Sequence, residues 1–182
     1  MIGHANVINY SERPYDDINQ MNDSIINMVV KTVKAGDEIY FLGDLGKSKE
    51  VIKRFFNLLP RNVAFHWIKG NHDKKLYNCV SDRLASLSEI KEVSLNKHKV
   101  ILCHYPMVTW NQSHRNSWML YGHHHKNGHG IKGLAERTTG KMLNVNLEFN
   151  NCKMYSEIDI IHIMKAMGDN WDYIPKDLTK KE

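Results

Sequence analysis

Short apolar runs that end in polar, metal-capable residues constrain the fold of this chain more than any other feature. Runs at residues 38–42, 63–68, 99–103 and 118–121 have the length and the β-branched or aromatic content of buried strands. Each leads into a polar group: Asp44, Asn71 with His72, His104, and His123 with His125. Because ligands gather beyond the carboxyl ends of strands in open α/β sheets, these groups are expected to share one site.

The remaining periodicities predict the architecture around these strands. Helical spacing predicts helices over residues 17–34, 48–59, 75–87 and 156–167. Residues 92–95 and 99–103 are expected to be two strands joined by a turn at 96–98, and alternation predicts a strand over 141–149. This order indicates an α/β fold in which two β-sheets pack as a sandwich with flanking helices.

Composition limits the classes of protein to consider. The 182 residues suit a single domain, expected over residues 1–167, followed by a polar tail at 168–182 that we expect to be loosely held. No apolar run suits a membrane span and the N-terminus does not resemble a signal peptide. Three cysteines in no paired arrangement favour the reducing cytoplasm. The net charge of +5 favours anionic partners such as phosphate esters or nucleic acid.

Each polar group also has an alternative interpretation. Asp44 after Gly43 could be a turn or cap residue, and Asn71 could stabilise a turn through its own side chain. His72 and His104 could be surface histidines or hydrogen-bonded core histidines. On a strand, His123 and His125 would point to the same side, so that their imidazoles could serve one metal ion or two adjacent ions.

The order of these motifs resembles a known family. Gly-Asp, then Gly-Asn-His-Asp, then a lone histidine, then Gly-His-x-His is similar to the calcineurin-like metallophosphoesterase superfamily. Over residues 3–167 the chain resembles a small bacterial and phage branch of this superfamily, described as predicted phosphoesterases. The further matches are Gly3-His4-Ala5-Asn6-Val7-Ile8, Arg13-Pro14, His104-Tyr105-Pro106-Met107, Trp110, Asn144-Val145, Glu148 and Asn150.

The resemblance implies a pair of divalent metal ions (Mn, Fe, Zn or Ni) between the two sheets. It assigns Asp44 as the bridging ligand, Asn71, His104 and His123 as ligands of the second ion, and His125 as a ligand of the first. His72 would be the catalytic group that supplies a proton to the leaving oxygen. A metal-activated hydroxide would then attack phosphorus in line.

One family motif, a first strand that ends in Asp-x-His, is missing before Gly3. Met1 lies where its histidine would fall, and the loss of an interior strand should leave sheet edges and a gap in the core. Two explanations are open: the true start lies upstream, or the product begins here and is impaired. As printed, the chain is expected to hold one metal well and the other weakly, with weak or absent turnover.

Four further residues are candidates for contact with substrate. His4 could replace a lost ligand, contact substrate or be a loop histidine. Arg13 and Arg115 suit bidentate contact with phosphate, and His114 shares the loop between His104 and His123 with Arg115. The alternative for the loop pair is a solvated loop.

The leading hypothesis is a metal-dependent phosphoesterase that hydrolyses phosphate mono- or diesters, with a nucleotide among the candidate substrates. A second hypothesis is a nuclease, although no concentrated stripe of basic residues supports nucleic acid as a partner. A third is a non-catalytic binding or regulatory protein that retains the fold and one metal. No membrane partner is expected.

Overall fold

Two β-sheets organise the protein, for which a computed structural model describes residues 2–125 and 140–175. The first sheet has the order β1-β2-β3 with all strands parallel, and the second has the order β4-β5-β6-β7. Strands β4 and β5 pair antiparallel, and the remaining pairs of the second sheet are parallel. The strands are β1 Glu38–Phe41, β2 Ala64–Ile68, β3 Leu84–Ser88, β4 Ile90–Leu95, β5 His98–Cys103, β6 Trp118–Tyr121 and β7 Met142–Asn144.

Helices flank both sheets, which confirms the predicted fold class. The described residues form four α-helices: α1 Asn6–Tyr10, α2 Ile18–Thr32, α3 Lys49–Leu58 and α4 Glu157–Ala166. Capping side chains define where three of them begin. The carboxylate of Asp17 accepts from two backbone amides of α2, and the hydroxyl of Ser48 accepts from one amide of α3. Ser156 and Asp159 form a reciprocal capping box at the start of α4.

Two of the predicted elements are wrong in part. In place of the helix expected over 75–87, the chain forms a 3-10 helix, Leu76–Arg83, followed by strand β3. Residues 84–88 form a strand because their backbone groups hydrogen bond with β2. The strand expected over 141–149 ends at Asn144. The side chain of Asn144 accepts from the amide of Asn146 and turns the chain into a second 3-10 helix, Leu147–Asn150.

The described residues form three buried apolar clusters: two lie against the first sheet, and the third includes Ile101, Met119 and Met142 of the second sheet. Between the first sheet and helices α2 and α3 lie the side chains of Phe56, Phe65 and Trp67, each at most 1% exposed to solvent. Leu102 and Trp118 of the second sheet pack on the inner side, in a cluster that includes Met164 of α4, Leu42 and Ile68. None of the described helices is long and apolar enough to cross a membrane.

A cavity of about 830 Å³ runs along the edge of β1. Its lining includes every residue from 38 to 45, which places it beside the strand edge rather than on one face. Alternate residues of the second sheet, Val100, Leu102 and Leu120, form the opposite wall.

The chain after Gly168 packs against the protein as far as residue 175. Asn170 is buried, and its side chain donates to the carbonyl oxygens of Ser113 and Ser117. The amide of Ile174 donates to the carbonyl of His114, and Trp171 Nε1 donates to the carbonyl of Val108. The first residues of the polar tail are therefore held in place by hydrogen bonds, contrary to expectation, because they satisfy backbone groups of the neighbouring loop.

Candidate metal and catalytic site

Two glycines allow the loops after β1 and β2 to approach each other. Gly43 has a φ of +86°, and a Cβ there would lie 2.6 Å from His104 Nδ1 and 2.7 Å from Gly70 Cα. A Cβ on Gly70 would lie 2.7 Å from the backbone nitrogen of Asp44. No real Cβ is found at such distances, so that only glycine lets the two loops place Asp44 and Asn71 side by side.

Three of the predicted site residues converge on one atom of a fourth, the Nε2 of His104. Asn71 Oδ1 lies 3.1 Å from this nitrogen, His123 Nδ1 lies 3.2 Å away, and Asp44 Oδ2 lies 3.3 Å away. Asp44 and Asn71 follow strands of the first sheet, whereas His104 and His123 follow strands of the second. The cluster therefore lies where the carboxyl ends of strands from both sheets meet.

The cluster is buried on one side and open on the other. His104 is 1% exposed and Asp44 is 9% exposed, whereas Asn71 and His72 are exposed. A ligand could thus enter past Asn71 and His72 and meet the buried carboxylate and imidazole. Asp44 and His123 both have left-handed backbones, with φ near +61°, which is an uncommon conformation for these residues and one found at ligand sites.

Neighbouring charges favour an ionised Asp44. Burial raises the pKa of this carboxyl, but the hydrogen bond and charge of His104, together with the amide and charge of His72, hold the pKa below its ordinary value. The amide of His72 donates to Asp44 Oδ1 over 2.8 Å. Burial lowers the pKa of His104, but the hydrogen bonds that its ring donates to the Asp44 carboxylate and the Leu42 carbonyl, with the charge of Asp44, outweigh it and raise the pKa overall.

The tautomer of His104 suits a metal ligand. Its Nδ1 lies 2.7 Å from the carbonyl oxygen of Leu42, which only accepts, so Nδ1 carries a hydrogen. In the neutral ring, Nε2 then carries the lone pair that faces Asp44, Asn71 and His123. The site therefore presents a carboxylate oxygen, an amide oxygen and imidazole nitrogens, which is a donor set suited to Mn, Fe, Zn or Ni.

The spacing of these atoms also fits a common ion. Ligands about 2.1 Å from one octahedral ion lie about 3 Å apart, close to the 3.1–3.3 Å that separate His104 Nε2 from its neighbours. Among residues 2–125 and 140–175, no group of three or more His, Cys, Asp or Glu side chains is already arranged to hold a metal. The ligand roles of these residues remain a prediction.

His125 lies beside the cluster in the same cavity wall as Asp44, His104 and His123. Its Nδ1 contacts Glu148 Oε1 over 2.8 Å rather than the Nε2 of His104. The predicted ligand of the first ion is therefore adjacent to the ligands predicted for the second.

His72 and His4 lie at the edge of the site. The exposed His72 belongs to the loop that carries Asn71, and its backbone is fixed by Asp44. Burial, followed by the charges of Lys47 and His72 among other contributions, lowers the pKa of His4 to about 4.

The other three candidate substrate contacts do not join the His104 cluster. Arg13 is buried beside it, and its Nη2 lies 2.7 Å from Glu148 Oε1, the oxygen that also contacts His125 Nδ1. Arg115 lines a separate cavity with His98 and Lys99 at the amino end of β5. Since β5 is roughly 20 Å long, this places Arg115 at the end of the strand opposite to His104.

His114 is also held away from the predicted ligands. It forms a 3-10 helix with Ser113 and Arg115 just before β6 begins, and its carbonyl accepts from Ile174. The loop after His104 returns to the amino end of the sheet because β6 must run parallel to β5. The structure therefore places His114 and Arg115 away from the predicted ligands, because loop membership alone does not show which end of the sheet a residue occupies; their contact with substrate stays a prediction.

Sequence reasoning missed the roles of Asp73 and Glu148. Asp73 is 1% exposed and accepts hydrogen bonds from the backbone of Leu45 and Gly70 and from the indole of Trp67. It thereby fixes both loops of the site, and its place in the Gly-Asn-His-Asp motif was the available signal. Glu148 joins Arg13 and His125, a long-range contact for which periodicity carries no signal.

Comparisons with known proteins give the family and the fold of the chain. A family model described as the calcineurin-like phosphoesterase superfamily domain matches residues 21–147. An uncharacterized protein of Methanocaldococcus jannaschii is 32% identical over 159 residues, which cover 87% of this chain and 82% of the relative. The crystal structure of a protein of unknown function from Aquifex aeolicus has a similar fold, with a TM-score of 0.66 at 22% identity, over 87% of this chain and 91% of that one.

Proposed function

Because the chain belongs to the calcineurin-like phosphoesterase superfamily, we propose that it is a metal-dependent phosphoesterase acting on phosphate mono- or diesters. The observation that carries this proposal is the convergence of Asp44, Asn71 and His123 on the Nε2 of His104. The approach of four such donors from separate loops leaves them within reach of one cation. Phosphate esters suit a site of this kind because a cation offsets the charge on their oxygens.

One divalent cation, the second ion of the predicted pair, would be held by Asp44, Asn71, His104 and His123. The first ion would be held in part by Asp44 and His125. When bound, such cations supply positive charge against the phosphoryl oxygens and a nucleophile from water at neutral pH. The protein itself positions the ligand loops and admits the substrate. Asp73 and the two glycines hold the loops in register, and the open side past Asn71 admits the ester.

His72 is the proposed proton donor to the leaving oxygen. Its side chain is exposed at the mouth of the site, while its amide holds Asp44 over 2.8 Å. A single backbone position thus fixes both the carboxylate and the imidazole. Such a donor typically contributes about 10²–10⁴-fold to the rate.

The first test compares hydrolysis of bis-p-nitrophenyl phosphate, a generic chromogenic diester, by the unmodified chain and by His72→Ala with Mn²⁺. We expect the rate of His72→Ala to fall by about 10²–10⁴-fold, while metal binding is retained. His162→Ala is the matched control, because His162 is an exposed residue of α4, and its rate should be unchanged.

Equal rates for His72→Ala and the unmodified chain would contradict the assignment of His72. Metal binding by the unmodified chain, without hydrolysis of this ester or of p-nitrophenyl phosphate, would favour a non-catalytic binding protein instead. The same assays with Zn²⁺, Fe²⁺ and Ni²⁺ would identify the metal that supports the highest rate.

A further inference from the structure

We propose that Glu148, itself fixed by Arg13, is a positioning residue that orients His125 for metal binding. This inference rests on the proposed function, since it assumes that His125 serves a metal. It concerns a buried chain of three side chains, Arg13, Glu148 and His125, which we call the Arg13–Glu148–His125 chain.

A single carboxylate oxygen joins the three side chains. Glu148 Oε1 accepts from Arg13 Nε over 3.0 Å and from Arg13 Nη2 over 2.7 Å. The same oxygen lies 2.8 Å from His125 Nδ1. These distances are those of charge-assisted hydrogen bonds, which are the stronger and more directional kind.

This arrangement selects the tautomer of His125. An ionised carboxylate only accepts hydrogen bonds, so the 2.8 Å contact with Glu148 places a hydrogen on His125 Nδ1. Asn146 Nδ2 also lies near this nitrogen, but at 3.5 Å, and the shorter contact with the carboxylate dominates. In the neutral ring the lone pair then belongs to Nε2. Leu42 imposes the same tautomer on His104 through its carbonyl oxygen. Two histidines from different loops are thus prepared in the same way by acceptors at Nδ1.

Arg13 holds the carboxylate of Glu148 in place for this role. The side chains of Arg13 and Glu148 are each 2% exposed, and the guanidinium donates two hydrogen bonds to the oxygen that His125 Nδ1 contacts. This ion pair keeps a charged acceptor opposite His125 Nδ1.

A role in stability alone explains the Arg13–Glu148 pair less well. Burying two charges costs free energy that their attraction only partly offsets, and apolar replacements of similar size are often neutral or stabilising. The pair also joins distant parts of the chain: Arg13 lies between α1 and α2, Glu148 lies in the 3-10 helix after β7, and His125 follows β6. The orientation of His125 therefore explains the presence of the buried Arg13–Glu148 ion pair better than stability does.

The test uses the double variant Arg13→Met with Glu148→Leu, which removes both charges and keeps apolar volume. We expect it to fold with a melting temperature close to that of the unmodified protein. Its titration with Mn²⁺ by calorimetry should show that binding of the ion served by His125 is weakened by about 10–100-fold, while binding of the ion served by His104 is unchanged. Long-range ¹H–¹⁵N correlation spectra of the metal-free protein, recorded with neutral rings, should show the Nδ1–H tautomer of His125 in the unmodified chain and its loss in the variant.

Glu92→Gln is the matched control. Glu92 also accepts two side-chain hydrogen bonds, from Lys99 and Asn111, but it is exposed on β4. This variant should change neither the Mn²⁺ affinity nor the His125 tautomer. A double variant that retains both the affinity and the tautomer would overturn the proposal.

Two further measurements keep the outcomes distinct. If the double variant does not fold, the spectrum of the unmodified protein decides, because an Nε2–H tautomer of neutral His125 overturns the proposal without any substitution. His104→Ala tests the proposed function separately. Unchanged Mn²⁺ binding in His104→Ala would contradict the metal site itself. Loss of binding in His104→Ala, together with full affinity for both ions in the double variant, would overturn only the role of Glu148.

Discussion

Gly70 sets the distance between the two loops that carry Asp44 and Asn71. A methyl group at position 70 would meet the backbone and the carboxylate of Asp44, neither of which is the free end of a flexible side chain. We expect Gly70→Ala to displace Asp44 and to lower hydrolysis by about 10²-fold, since a shift of about 1 Å at a reacting group has effects of this size.

The measurement is the rate of diester hydrolysis, with the circular dichroism spectrum as a check on the fold. Gly168→Ala is the control, because a Cβ there has no heavy atom within 4 Å among the described residues and no unusual φ. If Gly70→Ala were as active as Gly168→Ala, the close packing of the two loops would not matter for the site.

At the scale of elements, the segment 169–174 holds the loop that connects the end of β5 to β6. Asn170 is 3% exposed, and its Nδ2 donates to the carbonyl oxygens of Ser113 and Ser117 over 2.8 and 3.0 Å. Its Oδ1 accepts from the amide of Lys141 over 2.7 Å. One side chain therefore joins the loop, the start of β7 and the C-terminal segment.

Asn170→Ala would leave these buried backbone groups without their partners. We expect the free energy of unfolding to fall by about 2–4 kcal/mol, measured by urea denaturation. Asn19→Ala, in the exposed first turn of α2, should change it by less than about 0.5 kcal/mol. Similar midpoints for the two variants would show that the segment does not stabilise the loop.

For the whole molecule, the site is the place where the two sheets meet. Asp44 and Asn71 follow the first sheet and His104 and His123 follow the second, so that a shared cation would tie one sheet to the other. A metal that binds only the folded chain at 100 times its Kd stabilises it by about 2.7 kcal/mol. For a protein of this size we expect Mn²⁺ to raise the melting temperature by about 5–10 °C.

Differential scanning calorimetry with and without Mn²⁺ measures this rise. His104→Ala removes the residue on which the other three donors converge, so its melting temperature should not respond to the metal. A rise of the same size in His104→Ala would mean that the ion binds elsewhere.

The sequence by itself determined the main elements and the central residues of the site. Apolar runs and helical periods are local properties, and they predict β1, β2, β5, β6 and the long helices to within a few residues. The polar residues that follow these strands come together because parallel strands bring their carboxyl ends to one edge. The proximity of Asp44, Asn71, His104 and His123 could therefore be predicted without coordinates.

Only the tertiary structure decided which longer-range contacts form. Residues 84–88 became a strand because β2 offered free backbone partners, although their local spacing resembled a helix. Arg13 forms an ion pair with Glu148, a partner 135 residues away, and Arg115 lies at the amino end of the second sheet. Sequence periodicity describes neighbours along the chain, whereas burial and charge pairing join residues that only folding brings together.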